Sequence, residues 1–272
     1  MEAPLVSVIM PTYNRAGLIG RAVHSVIRQT FRDWELIVID DASTDDTLTV
    51  LYELQKKDSR IVVIHNAVNQ CHVSKILNHG LAVARGVYIA RIDDDDYWCS
   101  SDKLARQIAF LDAHLDYVLV GTGVIVVDGA GREQYRYLKH EHDSVIRAGA
   151  LTSNPFTHST VMYRRDAARA VYGYEKPYAE DWMLWLKLGK IGKLHNLPYY
   201  MICYMLAGQN KSWHHQRAQY QAVLEIVWHF RYDYPYSLRG FIINGMGYIY
   251  TFLPMWLRSM VHQKLSFFKR TL

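Results

Sequence analysis

The 272-residue sequence predicts an α/β protein: a mostly parallel central sheet with helices on both faces, followed by a helical, membrane-associated C-terminal segment. Three observations lead there. β-rich apolar runs alternate with helical patterns of about 10–15 residues, the arrangement that builds parallel sheets. Polar clusters follow the carboxyl ends of those runs, where ligands of such sheets bind. Past residue 210 the charge balance turns strongly basic.

The elements follow in order. "LVSVIM" (5–10) is a buried strand that Pro11 is expected to stop, and Ile19, Ala22, Val23, Val26 and Ile27 then recur at helical spacing. "ELIVID" (35–40) is a second strand, with Ser43 or Thr44 placed to cap the next helix. "RIVVIH" (60–65) is a third strand, a helix is expected over 73–84 before Gly86, and "VYIARI" (87–92) is a fourth strand. "YVLVGTGVIVVD" (117–128), "STVMYRR" (159–165) and "YYMICYM" (199–205) are further strands, separated by loops and short helices. The expected division is one domain over 1–210, with a nucleotide-binding half (about 1–128) and an acceptor half (about 129–210), and an extension over 211–272.

Half the residues are hydrophobic and 21% charged, as in an ordered globular chain. Cys71, Cys99 and Cys203 form no CxxC pair, which argues against a disulfide scaffold or cysteine zinc site and suits a reducing compartment. "MEAPLVSVIM" has no basic n-region, so a cytoplasmic protein is expected.

Between Lys211 and Leu272 eight Lys/Arg face two acids, so this segment carries +6 and the first 210 residues −1. It contains "GFIINGMGYIYTFLPMWL" (240–257), which has no charge. Asn244, three glycines and Pro254 weaken a membrane span. An anionic membrane surface is the expected partner, with packing on the main domain as the alternative. The basic residues are interleaved with apolar runs, so no nucleic-acid partner is expected.

Four consecutive acids, Asp93 to Asp96, leave the fourth strand in "ARIDDDDYW". Strand alternation puts Asp93 and Asp95 on one face, and two hard oxygen donors at that spacing can hold Mn2+ or Mg2+ against a substrate diphosphate. An EF-hand loop fits poorly, since Trp98 and Leu104 stand where Gly and Glu belong. The alternative is a solvated acidic turn before a helix capped by Ser101-Asp102. Asp40 and Asp41 end the second strand, where a carboxylate can accept from a base imide or ribose hydroxyl, and "PTYNR" (11–15) offers a rigid turn and the Tyr13 ring. Neither GxGxxG nor GxxxxGK[ST] is present, which excludes the dinucleotide and phosphate-loop classes. His72, His158 and His214-His215 lack HExxH spacing and read as structural or acceptor-contact residues.

"VSVIMPTYNR", "ELIVIDDASTDDT", "GVYIARIDDDD" and "YAEDWMLWLKL", in this order and spacing, resemble the family 2 glycosyltransferases over about residues 5–215. The resemblance implies a GT-A fold and inverting transfer from a nucleotide-diphosphate sugar, usually a UDP-sugar. It implies that Pro11, Tyr13 and Asp41 line the uracil and ribose pocket, with Thr12, Asp40 and Arg91 beside them, and that Asp93 helps hold the nucleotide. Asp95 would be the principal ligand of Mn2+ or Mg2+, with Asp93 second. Asp181 would be the general base, supported by Glu180, and Lys211 and Ser212 in "GQNKSW" (208–213) would contact the diphosphate. Asp181 opens an apolar helix, so burial would raise its pKa while the helix N-terminus would lower it.

Two departures matter. "YWCSSDKL" is one residue longer than the family spacing; an offset falling before the acids would make Asp94/Asp96 the working pair, but Gly86 and Arg91 lie at the family's distances from Asp93 and favour Asp93/Asp95. The Q-x-x-R-W motif of polymerising members is missing, which implies addition of one sugar per encounter. The resemblance extends to bacterial O-antigen and capsule enzymes. It implies UDP-glucose as donor, a β-1,3 linkage and an undecaprenyl-diphosphate-linked N-acetylhexosamine acceptor at the inner face of the cytoplasmic membrane. A sugar nucleotidyltransferase would show a Gly-rich basic loop where "PTYNRAGL" has one Gly. A non-catalytic scaffold is the remaining alternative.

Overall fold

The computed structural model describes residues 3–206 and 215–254. Its first half is built from β1 (Val6–Thr12), α1 (Ala16–Ile27), β2 (Trp34–Asp40), α2 (Thr47–Lys57), β3 (Ile61–His65), α3 (Val73–Val83) and β4 (Tyr88–Arg91). These four strands are parallel, with Val8 opposite Leu36 and Ala90, and Leu36 opposite Ile61. Alternation sends Val8, Met10, Leu36 and Val38 to one face, against Ile19, Val23 and Val26 of α1. Ile9, Ile37 and Ile39 go to the other, against Ile76, Leu77 and Leu81 of α3. Burial on both faces is why these strands read as unbroken apolar runs.

The second half comprises β5 (Tyr97–Trp98), α4 (Lys103–Ala113), β6 (Tyr117–Val127), β7 (Glu133–Tyr137), α5 (Asp143–Gly149), a 3-10 turn (His158–Thr160), β8 (Met162–Arg164), α6 (Arg165–Ala170), α7 (Glu180–Ile191) and β9 (Lys193–Met205). The strand order is β3-β2-β1-β4-β8-β6-β9-β5, with β7 paired to β6. The sheet turns mixed here: β8 is antiparallel to β4 and β6, whereas β6 and β9 are parallel.

The structure corrects several local expectations. Pro11 does not stop β1, which runs on to Thr12. Ile9 O accepts from Ile92 N–H on the β4 side and Thr12 O from Asp41 N–H on the β2 side. Alternation therefore aims Pro11's missing donor toward β4, past the last paired residue of that ladder, Ile9↔Arg91. Ser43 and Thr44 do not cap α2; Asp45 Oδ1 accepts from the Thr47 N–H at 3.0 Å instead. β9 starts six residues earlier than expected, and β5 and β7 were not anticipated.

Two helices, α8 (Gln216–His229) and α9 (Ser237–Tyr250), follow. α8 packs Val223, Ile226 and Val227 against Trp182, Met183 and Leu186 of α7. α9 touches the domain through Gly240 and Asn244, whose amide donates to Leu151 O at 3.0 Å. Part of the basic segment is thus packed on the domain, the alternative noted from the sequence. No helix among the described residues is long and apolar enough to cross a membrane.

Candidate active site

The site forms where β1, β2 and β4 end and α7 begins. Three non-glycine residues there are left-handed: Asn14 (φ 53°), Ala42 (φ 62°) and Ala179 (φ 53°). Such backbone costs about 1–3 kcal/mol each and persists only where neighbours enforce it. Asn14 is enforced by its own N–H on Ser43 Oγ (2.9 Å) and by its side-chain oxygen, which accepts from Thr44 N–H (2.8 Å). The first two loops are thereby laced together, with Tyr13 about one-third exposed at their edge.

Asp40 lies beneath this surface. It is fully buried, and its carboxylate takes bonds from Ser43 and from the His65 ring at 2.7 Å. Asp41, nearly as buried, accepts from Asn66 Nδ2 (2.9 Å) and Gln70 N–H (3.0 Å), and so shapes the loop after β3. Thr12 is buried, while Pro11 is half-buried.

Arg91, like Asp40, is expected beside the nucleotide pocket and is fully buried. Its guanidinium is fully buried, donating to Ile9 O and Ile92 O (both 2.7 Å), to His158 Nε2 (3.1 Å) and to Asp93 Oδ1 (2.5 Å). Burial pushes Asp93 upward, but Arg91, His158 and the Ser159 hydroxyl outweigh it and hold the carboxyl below its ordinary range. Burial and Arg91 push His158 down to about 3, and its Nε2 also lies 3.2 Å from the Tyr174 hydroxyl.

The other three acids part company. Asp94 turns to the first loop, 3.4 Å from Arg15 Nε. Asp96 is fully buried, with its oxygens accepting from Ser159 Oγ (2.6 Å) and Met205 N–H (3.1 Å). Burial and then Asp93 and Asp95 push its carboxyl above the usual carboxylate range, and its two donors make Asp96 a buried brace of the acidic turn. Of the four, only Asp93 and Asp94 form side-chain ion pairs among the described residues; Asp95 forms none, and burial, then Asp93 and Asp94, push it up to about 6. A half-buried carboxylate repelled by its neighbours and lacking a cation has the chemistry of a hard-metal ligand. Among the described residues no three His, Cys, Asp or Glu side chains form a ready-made cage, so phosphate or water oxygens would complete the shell.

At the start of α7, Asp181 Oδ1 accepts from the Trp182 N–H and Oδ2 from Asn154 Nδ2, both at 2.7 Å. Burial raises its pKa despite these bonds and the Lys139 ammonium, and Asp93 adds to the rise. Burial therefore prevails over the helix terminus. Glu180 is pushed to about 8 by burial, then by Asp181 and Asp93. Both residues of the α7 start thus feel the charge of Asp93. Lys211 and Ser212 lie outside the described residues.

Asn154 and Lys139 were not singled out from the sequence. Lys139 Nζ donates to Asn154 O (2.5 Å), and burial pushes it down to about 8 while Asp181 pulls it up. Asn154-Pro155 carried only a turn signal. Both line a cavity of about 220 Å3 beside Asp181, with His140 and Ser153. A larger cavity, about 670 Å3, lies at α8 around Met183 and Trp228 and holds none of these groups.

Residues 7–172 match the glycosyl transferase family 2. The chain belongs to this family and is a glycosyltransferase. It is 39% identical over 197 residues to the glycosyltransferase EpsE of Bacillus subtilis (strain 168), covering 70% of this chain and 69% of EpsE. It is 41% identical over 109 residues to WfaP of Escherichia coli, a UDP-Glc:alpha-D-GlcNAc-diphosphoundecaprenol beta-1,3-glucosyltransferase, covering 40% of this chain and 41% of WfaP. Its fold is that of Staphylococcus aureus TarS 1-349, solved with UDP-GlcNAc (TM-score 0.66, 21% identity, 83% of this chain and 66% of that one). The mannosyltransferase PcManGT of Pyrobaculum calidifontis, solved with GDP-Man and Mn2+, is equally similar (TM-score 0.66, 20% identity, 92% and 70%). This glycosyltransferase thus has the GT-A architecture expected from its motifs.

Proposed function

We propose that this glycosyltransferase moves one sugar, with inversion, from a UDP-sugar to a hydroxyl of a lipid-diphosphate-linked N-acetylhexosamine in bacterial surface-polysaccharide assembly. The observation that carries the reading is Asp181: a carboxylate made more basic by burial, held by two donors, and near enough to Asp93 to feel its charge. As the acceptor oxygen bonds to the anomeric carbon, the bond from that carbon to the diphosphate breaks. The hydroxyl proton passes to Asp181 and UDP departs on the opposite face. Glu180, protonated near neutral pH, spares Asp181 a neighbouring anion.

Asp95, aided by Asp93, would hold Mn2+ or Mg2+, which when bound offsets charge on the leaving diphosphate. The loops bearing Pro11, Thr12, Tyr13 and Asp41 would seat the nucleoside, and Lys211 and Ser212 would contact its phosphates. UDP-glucose and a β-1,3 linkage are the finer reading, supported by the likeness to WfaP over part of both chains. Residues 1–210 would form the transferase domain and 211–272 the extension, with the protein peripheral on the inner face of the cytoplasmic membrane.

The test is a screen of UDP-sugars, with Mn2+ or Mg2+, against a lipid-diphosphate-GlcNAc acceptor, with product linkage read by NMR. Release of UDP with a new glycosidic bond is expected. Pyrophosphate formed from a nucleoside triphosphate would instead indicate a nucleotidyltransferase, and no turnover a scaffold.

A further inference from the structure

Helix α9 is built inside out. Its buried positions are Gly240 and Asn244, while Leu238, Ile242, Met246 and Ile249 are each more than half exposed. Their spacing is that of one helical face. Gly240 and Asn244, with the partly buried Phe241, hold the helix to the domain, and a Cβ at Gly240 would meet Leu151 O at 2.7 Å. The exposed stripe continues onto Trp228 (60% exposed) and Tyr232 (87% exposed) at the end of α8. An apolar patch of this extent on a soluble fold marks an interaction surface.

The charges around it select the partner. The two acids between residues 215 and 254 are neutralised by lysines of the main domain, Glu225 by Lys176 (2.6 Å) and Asp233 by Lys190 (2.9 Å). Arg217, Arg231 and Arg239 form no salt bridge among the described residues. Arg231 lies over Trp228 and Tyr232 at 4.0 and 4.3 Å, and Arg217 over Phe252 at 4.0 Å. Apolar residues flanked by aromatic rings and unpaired arginines match the boundary between acyl chains and anionic headgroups. With 14 residues, α9 is about 21 Å long, short of the roughly 30 Å hydrocarbon core. It suits lying on a bilayer rather than crossing it.

We propose that the outer face of α9, with the adjoining end of α8, is the surface by which this chain seats on an anionic lipid bilayer. The face is tied closely to the base. Asn244 bonds Leu151 O, the neighbouring Ala150 O accepts from Trp182 Nε1 (2.8 Å), and Asn154 in the same segment holds Asp181. Seating this face therefore fixes the height of Asp181 above the bilayer, where a lipid-linked hydroxyl would arrive. That last step rests on the proposed function; the lipid contact does not.

The full chain is to be floated with phosphatidylethanolamine vesicles, with and without phosphatidylglycerol. The wild type is expected to bind the anionic vesicles. Ile242→Gln with Ile249→Gln should lower the partition at least tenfold, and Arg231→Gln with Arg239→Gln by about fivefold per residue on anionic vesicles only. Both variants should keep wild-type thermal melting and wild-type turnover on a water-soluble, short-chain acceptor. A wild type that stays unbound, or partition that neither variant alters, overturns the assignment. So does a variant that only turns a dimer into a monomer, which would make a second copy the occupant. Failure of all transfer chemistry, with partition behaving as stated, would count against the proposed function alone.

Discussion

Asn154 donates its side-chain amide to Asp181 Oδ2 at 2.7 Å from a loop 27 residues upstream, while the Trp182 N–H takes Oδ1. Each oxygen keeps a lone pair for the acceptor, and the carboxylate cannot swing away. Asp181→Asn should keep UDP binding by calorimetry and lower turnover by about 10²- to 10⁴-fold, the usual worth of a general base. Normal turnover by this variant would remove Asp181 from the mechanism.

The pH dependence follows from the same contacts. As the proposed base Asp181 would have to be ionised, and its raised pKa would then place the acid limb of turnover above the ordinary aspartate value of about 3.9. Asn154 and Lys139 both hold that pKa down. Asn154→Ala and Lys139→Met should therefore each move the limb to higher pH, read from kcat profiles. Lys139→Arg should restore it.

Glu180 couples the site to stability. Its folded pKa, about 8, exceeds its ordinary value of 4.5, so the folded state binds the proton more tightly than the unfolded one. Its contribution is full below about pH 4.5 and is lost as pH rises through 8. Glu180→Gln should flatten the fall in Tm between these limits and leave the melt near pH 4 unchanged.

Arg91 is a buried cation with four acceptors around it, and Asp93 depends on it. Arg91→Met should destabilise by about 3–5 kcal/mol in urea titrations, because it leaves a carboxylate uncompensated. Donor binding should weaken too, although Arg91 is fully buried.

Gly86 sits where a Cβ would lie 2.4 Å from Ser7 N and 2.7 Å from Val6 C, both backbone atoms that cannot rotate aside. Gly86→Ala should cost about 1–3 kcal/mol, the usual range for overpacking. Urea midpoints with an unchanged slope would identify that cause.

The parallel strands were legible because burial on both faces writes itself as unbroken Val/Ile/Leu runs. The motifs carried the family. The two-residue β5 was not legible, since its partner β9 lies about 100 residues away and so short a pair leaves no periodic trace. Nor was the division of labour among the acids. Asp40, Asp41, Asp93, Asp95 and Asp96 share one chemistry, and only tertiary packing decides which become braces. Asn154 is invisible for a related reason: its role exists only once α7 is laid against its loop.

Asp96 has a mechanical meaning beyond its own burial. One oxygen grips Met205 N–H at the end of β9, and Arg21 reaches both the Asp95 carbonyl (3.2 Å) and the Met205 sulfur (4.0 Å). The acidic turn and the exit of the last strand are therefore clamped as one piece. A shift at either is transmitted to the other, and a transplant of the aspartates onto another scaffold would have to carry the strand end along.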